Sequence, residues 1–310
     1  MNFTHAPVLA DEVVAHVPPS LLRFADVTLG GGGHAERVLR ERKPAHYLGL
    51  DRDPQAIAAS AVRLAEFSPI LRQARFSELP QVMRELAWPK VDGVLADIGV
   101  SSPQLDQAER GFSFMRRGPL DMRMGEGETL AEKLATVSEE DLANVIYRLG
   151  EERFSRRVAR AIIRDRELIV DTHTLASSVR GALPKTPGGI DPATRTFQAL
   201  RIWVNDELGE LDTLLAALPD VLADHGVALI ISFHSLEDRA VKQAFNYAAK
   251  GCICPPKLPF CQCHRKPTME VLTKKPVIAT AQECERNPRA RSAKLRVARR
   301  LPREAEGTHA

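Results

Sequence analysis

The sequence lacks a long apolar run, and it lacks an excess of charge of either sign. No stretch approaches the roughly 18 uninterrupted apolar residues that a membrane helix needs, and Asp11 and Glu12 stand where a secretory signal peptide would be basic and then apolar. The 43 Lys and Arg against 40 Asp and Glu leave a net charge of +3, too small to identify a nucleic-acid-binding protein by itself. We expect a cytoplasmic globular protein.

Arginine is nevertheless concentrated in two places. One cluster has the spacing of a single helix face: Arg153, Arg156, Arg157, Arg160 and Arg164. The other is the C-terminal run RNPRARSAKLRVARR. Each cluster is either a solvated surface or a contact for the phosphates of a nucleic acid.

The first hundred residues alternate short apolar runs with helical patterns, which predicts successive βαβ units and a parallel sheet covered by helices. The predicted strands are RFADVTL, HYLGLD, PILRQARF and VDGVLADI, followed much later by GVALIISF, KKPVIAT and AKLRVARR. One long helix is predicted from the 3.6-residue spacing of Phe197, Leu200, Val204, Leu208, Leu211 and Leu215.

A helical insertion interrupts this α/β pattern. We predict a discontinuous α/β domain over 1–106 and 191–310, with a helical domain over 107–190. Because the insertion follows the fourth strand, it begins at the carboxyl ends of the strands, where open α/β sheets bind ligands. It is therefore predicted to cap a ligand site.

Four consecutive glycines follow the first predicted strand. Gly30, Gly32 and Ala35 satisfy the loose dinucleotide-binding pattern G-x-G-x-x-A, and Asp51 lies about 20 residues further on, where an acid binds ribose hydroxyls. Asp26 favours S-adenosylmethionine over a dinucleotide as the ligand. The pattern D-x-T-x-G-x-G that it begins resembles the first motif of S-adenosylmethionine-dependent methyltransferases, with Thr28 in place of the usual first glycine. A carboxylate attracts the cationic methionine end of S-adenosylmethionine, whereas it repels the negatively charged pyrophosphate of a dinucleotide.

Longer segments make the resemblance specific. The chain resembles, nearly end to end, the bacterial 16S ribosomal RNA cytosine-N4 methyltransferases of the MraW type. The segments that carry this resemblance are DIGVSSPQLDQAERGFSFMRRGPLDMRM, GEERFSRRVARAI, PATRTFQALRIWVNDEL, ISFHSLEDR and NPRARSAKLRV. The resemblance implies a class I (Rossmann-like) methyltransferase fold with an inserted all-helical substrate-recognition domain.

The resemblance also implies an S-adenosylmethionine site. It implies Gly32, Gly33 and His34 in the turn, Asp51 on the ribose and Phe76 beside the adenine. It further implies that Asp97 and Gln104 lie near the methionine end. Two of these residues have simpler explanations, since Phe76 is also compatible with the core and His34 with a helix start.

The implied reaction transfers a methyl group to the exocyclic amine of a cytosine. That amine is a poor nucleophile, so we expect a hydrogen-bond acceptor on its N–H bonds. Asp97 is the first candidate, and the same loop offers Ser101, Ser102 and Asp106 as alternatives. His234 and Glu237 are open to a substrate role, whereas Ser235 with Asp238 matches a helix capping box.

The implied partner is 16S ribosomal RNA within the small ribosomal subunit, and no membrane contact is expected. A paired cytosine must leave its stack to reach the site, and the two arginine clusters are then candidate contacts for the RNA backbone. A further group has either that role or the role of holding a loop: Asn205, Arg110, Arg116, Arg117 and Arg123. The oligomeric state is left open.

The segment CICPPKLPFCQCH gathers Cys252, Cys254, Cys261, Cys263 and His264. Four thiols and an imidazole are enough ligands for a tetrahedral zinc site. However, C-x-C is a less usual chelating spacing than C-x-x-C, and the implied chemistry needs no metal. We favour a loop without metal, with zinc binding and redox chemistry as alternatives.

Two other functions compete with methyl transfer. The glycine turn and Asp51 alone would also fit a nicotinamide-dependent oxidoreductase. A non-catalytic RNA-binding assembly factor would keep the fold without the chemistry, and for such a protein Asp97→Ala would leave function intact.

Overall fold

The computed structural model describes residues 7–184, 191–255, 258 and 260–302, with the side chains of Ser102 and Pro103 outside that description. The chain divides into two compact units, of which the first is Met1–Gly99 with Gly209–Ala310 and the second is Val100–Leu208. The predicted insertion, 107–190, lies within the second unit. Residues 100–106 and 191–208 also belong to that unit.

The first unit contains one twisted sheet. Its strands are β1 Arg23–Asp26, β2 His46–Asp51, β3 Ile70–Gln73, β4 Val91–Asp97, β5 Leu222–Ser232, β6 Met269–Val271, β7 Val277–Ile278 and β8 Lys294–Arg300. Their order is β3-β2-β1-β4-β5-β8-β6, with β7 also paired to β8. The strands from β1 to β5 are parallel, whereas β8 runs antiparallel to β5, β6 and β7.

The direction of chain progression reverses beside β1. From β1 the chain moves outward to β2 and β3, and it then returns to β4 on the other side of β1. The carboxyl ends of β1 and β4 therefore form a topological switch point, which is where open α/β sheets bind ligands. Asp26 ends β1 and Asp97 ends β4, so the sheet places two of the predicted site residues at this point.

The described residues form thirteen α-helices. They are α1 Ala10–His16, α2 Gly33–Arg42, α3 Pro54–Arg63, α4 Leu79–Glu85, α5 Ser102–Asp106, α6 Leu130–Thr136, α7 Glu139–Gly150, α8 Ser155–Arg164, α9 Thr172–Ala182, α10 Ala193–Asn205, α11 Glu207–Val221, α12 Ser235–Ala249 and α13 Ala281–Arg286. The predicted α/β, Rossmann-like fold with inserted helices is confirmed.

Each unit has its own apolar core. In the first, Phe24, Leu95, Leu229 and Val297 from neighbouring strands are all buried in one cluster, as expected of strands covered on both faces. The core of the second unit comes from one apolar stripe of each helix, including Leu142 and Ile146 of α7, Val158 and Ile162 of α8, and Phe197 and Leu200 of α10.

The prediction of one long helix through Phe197 and Leu215 was wrong. Helix α10 ends at Asn205, and Asp206 caps it with φ of +49° in the left-handed region before α11 begins. The apolar spacing continues across the break because both helices bury a stripe. Periodicity alone therefore does not reveal one residue of reversed backbone conformation.

None of the helices in the described parts of the chain is long and apolar enough to cross a membrane.

Candidate active site

The glycine turn after β1 adopts a conformation that other residues disfavour. Gly30 has φ of +51° and Gly32 has φ of +75°, and Gly33 then begins α2. A Cβ at Gly32 would lie 3.1 Å from Ser60 Oγ, whereas a Cβ at Gly30 would meet only one backbone oxygen, at 3.9 Å. The backbone at Gly30 therefore borders open space, as a turn that receives a ligand requires.

Helix α3 holds this turn through two side chains. Ser60 Oγ donates to the carbonyl oxygen of Gly30 at 2.8 Å, and Arg63 donates to that of Gly31 at 3.1 Å. Arg63 also pairs with Glu36 of α2 at 2.7 Å. Neither residue was predicted, because the spacing of Ser60 and Arg63 on one helix face says nothing about a backbone partner some thirty residues away in the chain.

Asp51 joins the end of β2 to the glycine turn. Its Oδ2 accepts from the backbone N–H of Gly30 and its Oδ1 from that of Asp53, both at 2.8 Å. Burial raises the pKa of Asp51 from 3.8 to about 6, although both N–H groups favour the charged form. Each oxygen keeps a second lone pair, so the carboxylate can accept two further hydrogen bonds.

Asp26 is fully buried at the end of β1. Tyr47 of β2 donates its hydroxyl to Asp26 Oδ2 at 3.2 Å, and the N–H of Thr28 donates to Oδ1 at 3.1 Å. Burial raises the pKa of Asp26 to about 6. Tyr47 was not among the predicted site residues, since its place within a buried strand made it indistinguishable from a core aromatic.

Asp97 and His34 face each other across the switch point. Thr28 Oγ1 accepts from the backbone N–H of Asp97, which ties β4 to the residue that replaces the usual first glycine. His34 Nε2 lies 3.5 Å from Asp97 Oδ2. Neither ring nitrogen of His34 nor Oδ1 of Asp97 has a hydrogen-bond partner within the described ranges, although all three atoms are buried.

Such orphaned polar atoms are rare in folded proteins. Together with the open backbone at Gly30, they indicate that this end of the sheet is shaped for a polar ligand.

Removing the Thr28 hydroxyl is expected to destabilise the protein. In Thr28→Val the partly buried N–H of Asp97 loses its acceptor, and the cost should lie at the lower end of the about 1–3 kcal/mol for a buried donor without a partner. Urea unfolding should show this loss in the free energy of unfolding, whereas Thr28→Ser, which keeps the oxygen, should recover most of it. A Thr28→Val protein as stable as the wild type would show that this bond contributes nothing.

Phe76 and His234 occupy the ends of two other strands. Phe76 begins a 3₁₀ turn after β3 and is partly exposed, so it is not a core residue. His234 is the N-cap of α12, where its Nδ1 accepts from the N–H of Glu237 at 3.4 Å and its Nε2 lies 3.0 Å from Glu237 Oε1.

The capping-box prediction for Ser235 with Asp238 was wrong. The pair that caps α12 is His234 with Glu237, whose carboxylate accepts from the N–H of Phe233 at 2.9 Å. Asp238 instead pairs with Arg296 at 2.6 Å. Burial would raise the pKa of Asp238, but the charges of Arg296 and Lys294 hold it below its ordinary value. A catalytic role for His234 stays a prediction.

The other predicted residues lie in the second unit. Gln104 is buried in α5 and its Oε1 accepts from the N–H of Ser101 at 2.9 Å, whereas Asp106 is exposed. Ser102 begins α5, and its side chain is outside the described residues. Roles for these residues at the cofactor or the acceptor stay predictions.

The contacts of Asn205, Arg110, Arg116, Arg117 and Arg123 support a role in holding their loop rather than in binding RNA. The buried Asn205 amide donates to the carbonyl of Met122 and accepts from the N–H of Met124. The arginines bind acids or carbonyls of the same unit: Arg110 with Arg123, Arg116 with Asp106, Arg117 with Asp171, and Arg123 with Asp121.

The two arginine clusters differ in exposure. On and beside α8, Arg153, Arg156, Arg157, Arg160 and Arg164 are all exposed. The C-terminal run instead contains β8, an interior strand, in which Arg296 and Arg300 are buried. Arg296 and Arg300 are therefore not available to RNA, whereas an RNA contact by the exposed Arg291 of the same run stays a prediction.

Comparison with known proteins identifies the family. The model of the MraW methylase family matches residues 2–301. The chain belongs to the MraW methylase family. Two relatives called ribosomal RNA small subunit methyltransferase H are 50% identical over 308 residues, in Anaeromyxobacter sp. strain K, and 49% identical over 305 residues, in Myxococcus xanthus. These matches cover 97% of the chain in each case, and 99% and 98% of the relatives.

The solved structures that match this chain are more distant in sequence. An rRNA methylase from Streptococcus thermophilus has a TM-score of 0.41 at 9% identity, over 97% of this chain and 100% of that one. An N-methyltransferase from Bradyrhizobium japonicum, in complex with S-adenosylhomocysteine, has a TM-score of 0.43 at 8% identity, over 97% and 90%.

As a member of the MraW methylase family, the protein is a methyltransferase that uses S-adenosylmethionine. The alternatives of a nicotinamide-dependent oxidoreductase and of a non-catalytic assembly factor do not agree with this family. The residues at the switch point fit the cofactor, since they offer carboxylate acceptors, an open glycine turn and unsatisfied polar atoms on His34 and Asp97.

Proposed function

We propose that this protein methylates the exocyclic N4 amine of a cytosine in the decoding centre (P site) of 16S ribosomal RNA, with the small subunit as its substrate. The observation that carries this proposal is the full-length family match, whose relatives are named for methyl transfer to small-subunit ribosomal RNA. The cytosine and its N4 position come from the motif resemblance. The buried Oδ1 of Asp97, which has no hydrogen-bond partner among the described residues, supports an amine as the acceptor of the methyl group.

We assign the cofactor contacts to the first unit. Asp51, with a free lone pair on each oxygen, would accept from the ribose hydroxyls, and the partly exposed Phe76 would stack on the adenine. The turn would let the cofactor lie against the open backbone at Gly30, and α2, which begins at Gly33, would offer backbone N–H groups. S-adenosylmethionine, when bound, supplies a methyl group activated by its sulfonium charge, and the buried carboxyl of Asp26 would balance that charge.

Asp97 is the proposed acceptor for the amine hydrogen. The cytosine amine shares its lone pair with the ring, so an acceptor on its N–H bond localises that pair and stabilises the charge that develops on nitrogen. Asp97 Oδ1 is buried and unsatisfied, while the Asp97 backbone is fixed by Thr28. Ser101, Ser102, Asp106 and His234 remain the alternatives.

The exposed arginines around α8 are the proposed contacts for the RNA backbone. Among the described residues, Arg153 and Arg156 have no ion partner, whereas Arg160 pairs with Glu139 and Arg164 with Asp165. Unpaired guanidinium groups on one surface suit phosphate contacts, which position an RNA without reading its sequence.

Label transfer tests the substrate. Purified protein and methyl-labelled S-adenosylmethionine are incubated with small subunits from a strain that lacks this methyltransferase, with large subunits, and with protein-free 16S RNA. We expect label in the RNA of small subunits, much less in free RNA and none in large subunits. Efficient labelling of large subunits would overturn the proposal, and labelling of free RNA alone would overturn the assembled subunit as substrate.

We expect the affinity for S-adenosylmethionine to rise as the pH increases from about 5 to about 7. The pKa values of Asp26 and Asp51 are both raised to about 6, and their proposed partners prefer the charged carboxylate. Below pH 6 a proton must leave before binding, so the affinity decreases by up to about tenfold per pH unit for each group. Calorimetric titration over this range measures the effect, and Asp51→Asn should remove the contribution of Asp51 while that of Asp26 remains.

Without cofactor, the same groups act on stability in the opposite direction. The unfolded chain releases these protons near pH 3.8, whereas the folded protein holds them to about pH 6. Between these values the folded state binds more protons, so the contribution of both groups to the free energy of unfolding falls as the pH rises.

A cofactor affinity that is constant or decreases between pH 5 and 7 would contradict the proposed roles.

Replacing Arg153 and Arg156 with glutamine should weaken binding to small subunits and reduce its salt dependence. The slope of log K against log salt concentration is negative, and each lost phosphate contact reduces its magnitude by about 0.7–0.9. The matched control replaces Arg37 and Arg40, which are ion-paired on the surface of α2, and should leave the slope unchanged. Equal slopes for both double variants would remove the α8 surface from the proposed interface.

A further inference from the structure

The four cysteines between α12 and β6 come together in the structure. The Sγ atoms of Cys252, Cys254, Cys261 and Cys263 all lie within 4.8 Å of one another, with 3.6 Å between Cys261 and Cys263 and 3.8 Å between Cys252 and Cys263. All four are free cysteines. Four thiolates around one zinc ion at about 2.3 Å would be about 3.8 Å apart, so the sulfurs already have nearly the spacing of a tetrahedral site.

Backbone N–H groups point at three of these sulfurs. The N–H of Cys254 donates to Cys252 Sγ, that of Ile253 to Cys263 Sγ and that of Gln262 to Cys254 Sγ, each at 3.4 Å. Two of these bonds cross from one C-x-C pair to the other. Donors aimed at sulfur stabilise the thiolate, which is the form that binds metal.

Among the described residues of the loop that carries the cysteines, 251–255, 258 and 260–268, there is little apolar packing to hold its outer part. At its base, Thr268 bonds to Ala248 and Arg265 lies over the Tyr247 ring, 3.8 Å from its centroid. Further out, Phe260 is 83% exposed and Ile253 is 43% exposed. A segment without a core of its own usually depends on a cross-link such as a metal or a disulfide.

We propose that Cys252, Cys254, Cys261 and Cys263 bind one zinc ion as a structural tetrathiolate site that closes this loop. The site lies outside the methyltransferase residues and takes no part in methyl transfer. Each thiol that coordinates releases its proton to solvent. His264 is not part of the gathered group, so the structure favours a site of four sulfurs, in contrast to the metal-free loop that the C-x-C spacing favoured.

Metal analysis of the full chain tests this proposal. The protein is purified without a histidine tag, under reducing and anaerobic conditions, and its zinc is measured by plasma mass spectrometry. We expect one zinc per chain. Replacement by cobalt should produce the intense charge-transfer and visible bands of a tetrahedral cobalt thiolate.

Variants distinguish the four proposed zinc ligands from Cys284 and His264, which should not bind the metal. The double variant Cys261→Ser with Cys263→Ser should lose the zinc, while Cys284→Ser, which changes the cysteine in α13, and His264→Ala should keep it. The double variant should also be cleaved faster by protease within 251–264, with binding of S-adenosylmethionine unchanged. That unchanged binding shows that the remaining fold is intact.

Several results would overturn the proposal. They are a chain that contains no zinc either as isolated or after reconstitution, zinc retained by the double cysteine variant, an iron–sulfur spectrum with matching iron and sulfide, or the four cysteines recovered as two disulfides from the anaerobic preparation.

Discussion

Asp97→Asn should lower kcat by about 10²–10³-fold, which is the usual cost of removing one preorganised group that stabilises transition-state charge. The change replaces an acceptor oxygen by an amide donor beside the proposed amine. Single-turnover methylation of small subunits measures the chemical step directly. Stability should change little, because the Asp97 backbone stays bound to Thr28 and the side chain has only the 3.5 Å approach to His34.

A matched control makes the same chemical change at the opposite end of the sheet. Asp224 is exposed near the start of β5, and Asp224→Asn should have wild-type kcat. The dissociation constant of S-adenosylmethionine must be measured for both variants, since a loss confined to cofactor binding would give Asp97 a binding role only. An unchanged kcat in Asp97→Asn would exclude it as acceptor and direct attention to Ser101, Ser102, Asp106 and His234.

Asp51→Ala should weaken S-adenosylmethionine binding by about 100-fold or more. The variant loses both proposed ribose acceptors, and a hydrogen bond to a charged group contributes about 1.5–3 kcal/mol. It also leaves the N–H groups of Gly30 and Asp53 without their acceptor, so the glycine turn loses its link to β2. Calorimetric titration at pH 7.5, where the carboxylate is charged, measures the affinity.

Two further substitutions distinguish the causes of this loss. Asp51→Asn keeps one acceptor oxygen and should lose less affinity than Asp51→Ala. Asp53→Asn removes a carboxylate two residues away but keeps an acceptor for the N–H of Gln55, which Asp53 caps at the start of α3. Its affinity should match the wild type. Equal losses in Asp53→Asn and Asp51→Ala would mean that local charge, and not the ribose contact, determines binding.

The sequence predicted the parts of the fold that repeat a pattern. Strand β2, His46–Asp51, matches its predicted bounds, because it is a short apolar run between two helical patterns, with Pro44 before it and Pro54 after it. The break at Asp206 was missed, since one left-handed residue leaves the apolar spacing of both helices intact. Strand β6 was also missed, because three residues are too few to establish a period.

Individual residues of the candidate site could be predicted only where they belong to a sequence motif. The glycine turn, Asp51 and Asp97 belong to recognisable patterns at strand ends. Ser60, Arg63 and Tyr47 do not, because their contacts with Gly30, Gly31 and Asp26 join segments that only the fold brings together. Likewise, the composition of the C-terminal arginine run gave no sign that Arg296 would be buried against Asp238.

Mass analysis of the methylated nucleoside tests which atom of the RNA receives the methyl group. Small subunits methylated by the purified protein are stripped to RNA, digested to nucleosides and compared with synthetic standards, with Asp97→Asn as the parallel reaction. We predict N4-methylcytidine from a single position in the decoding centre, in a strongly reduced amount with the variant. A methyl group on C5 of cytosine, on a ribose hydroxyl or on another base would contradict it.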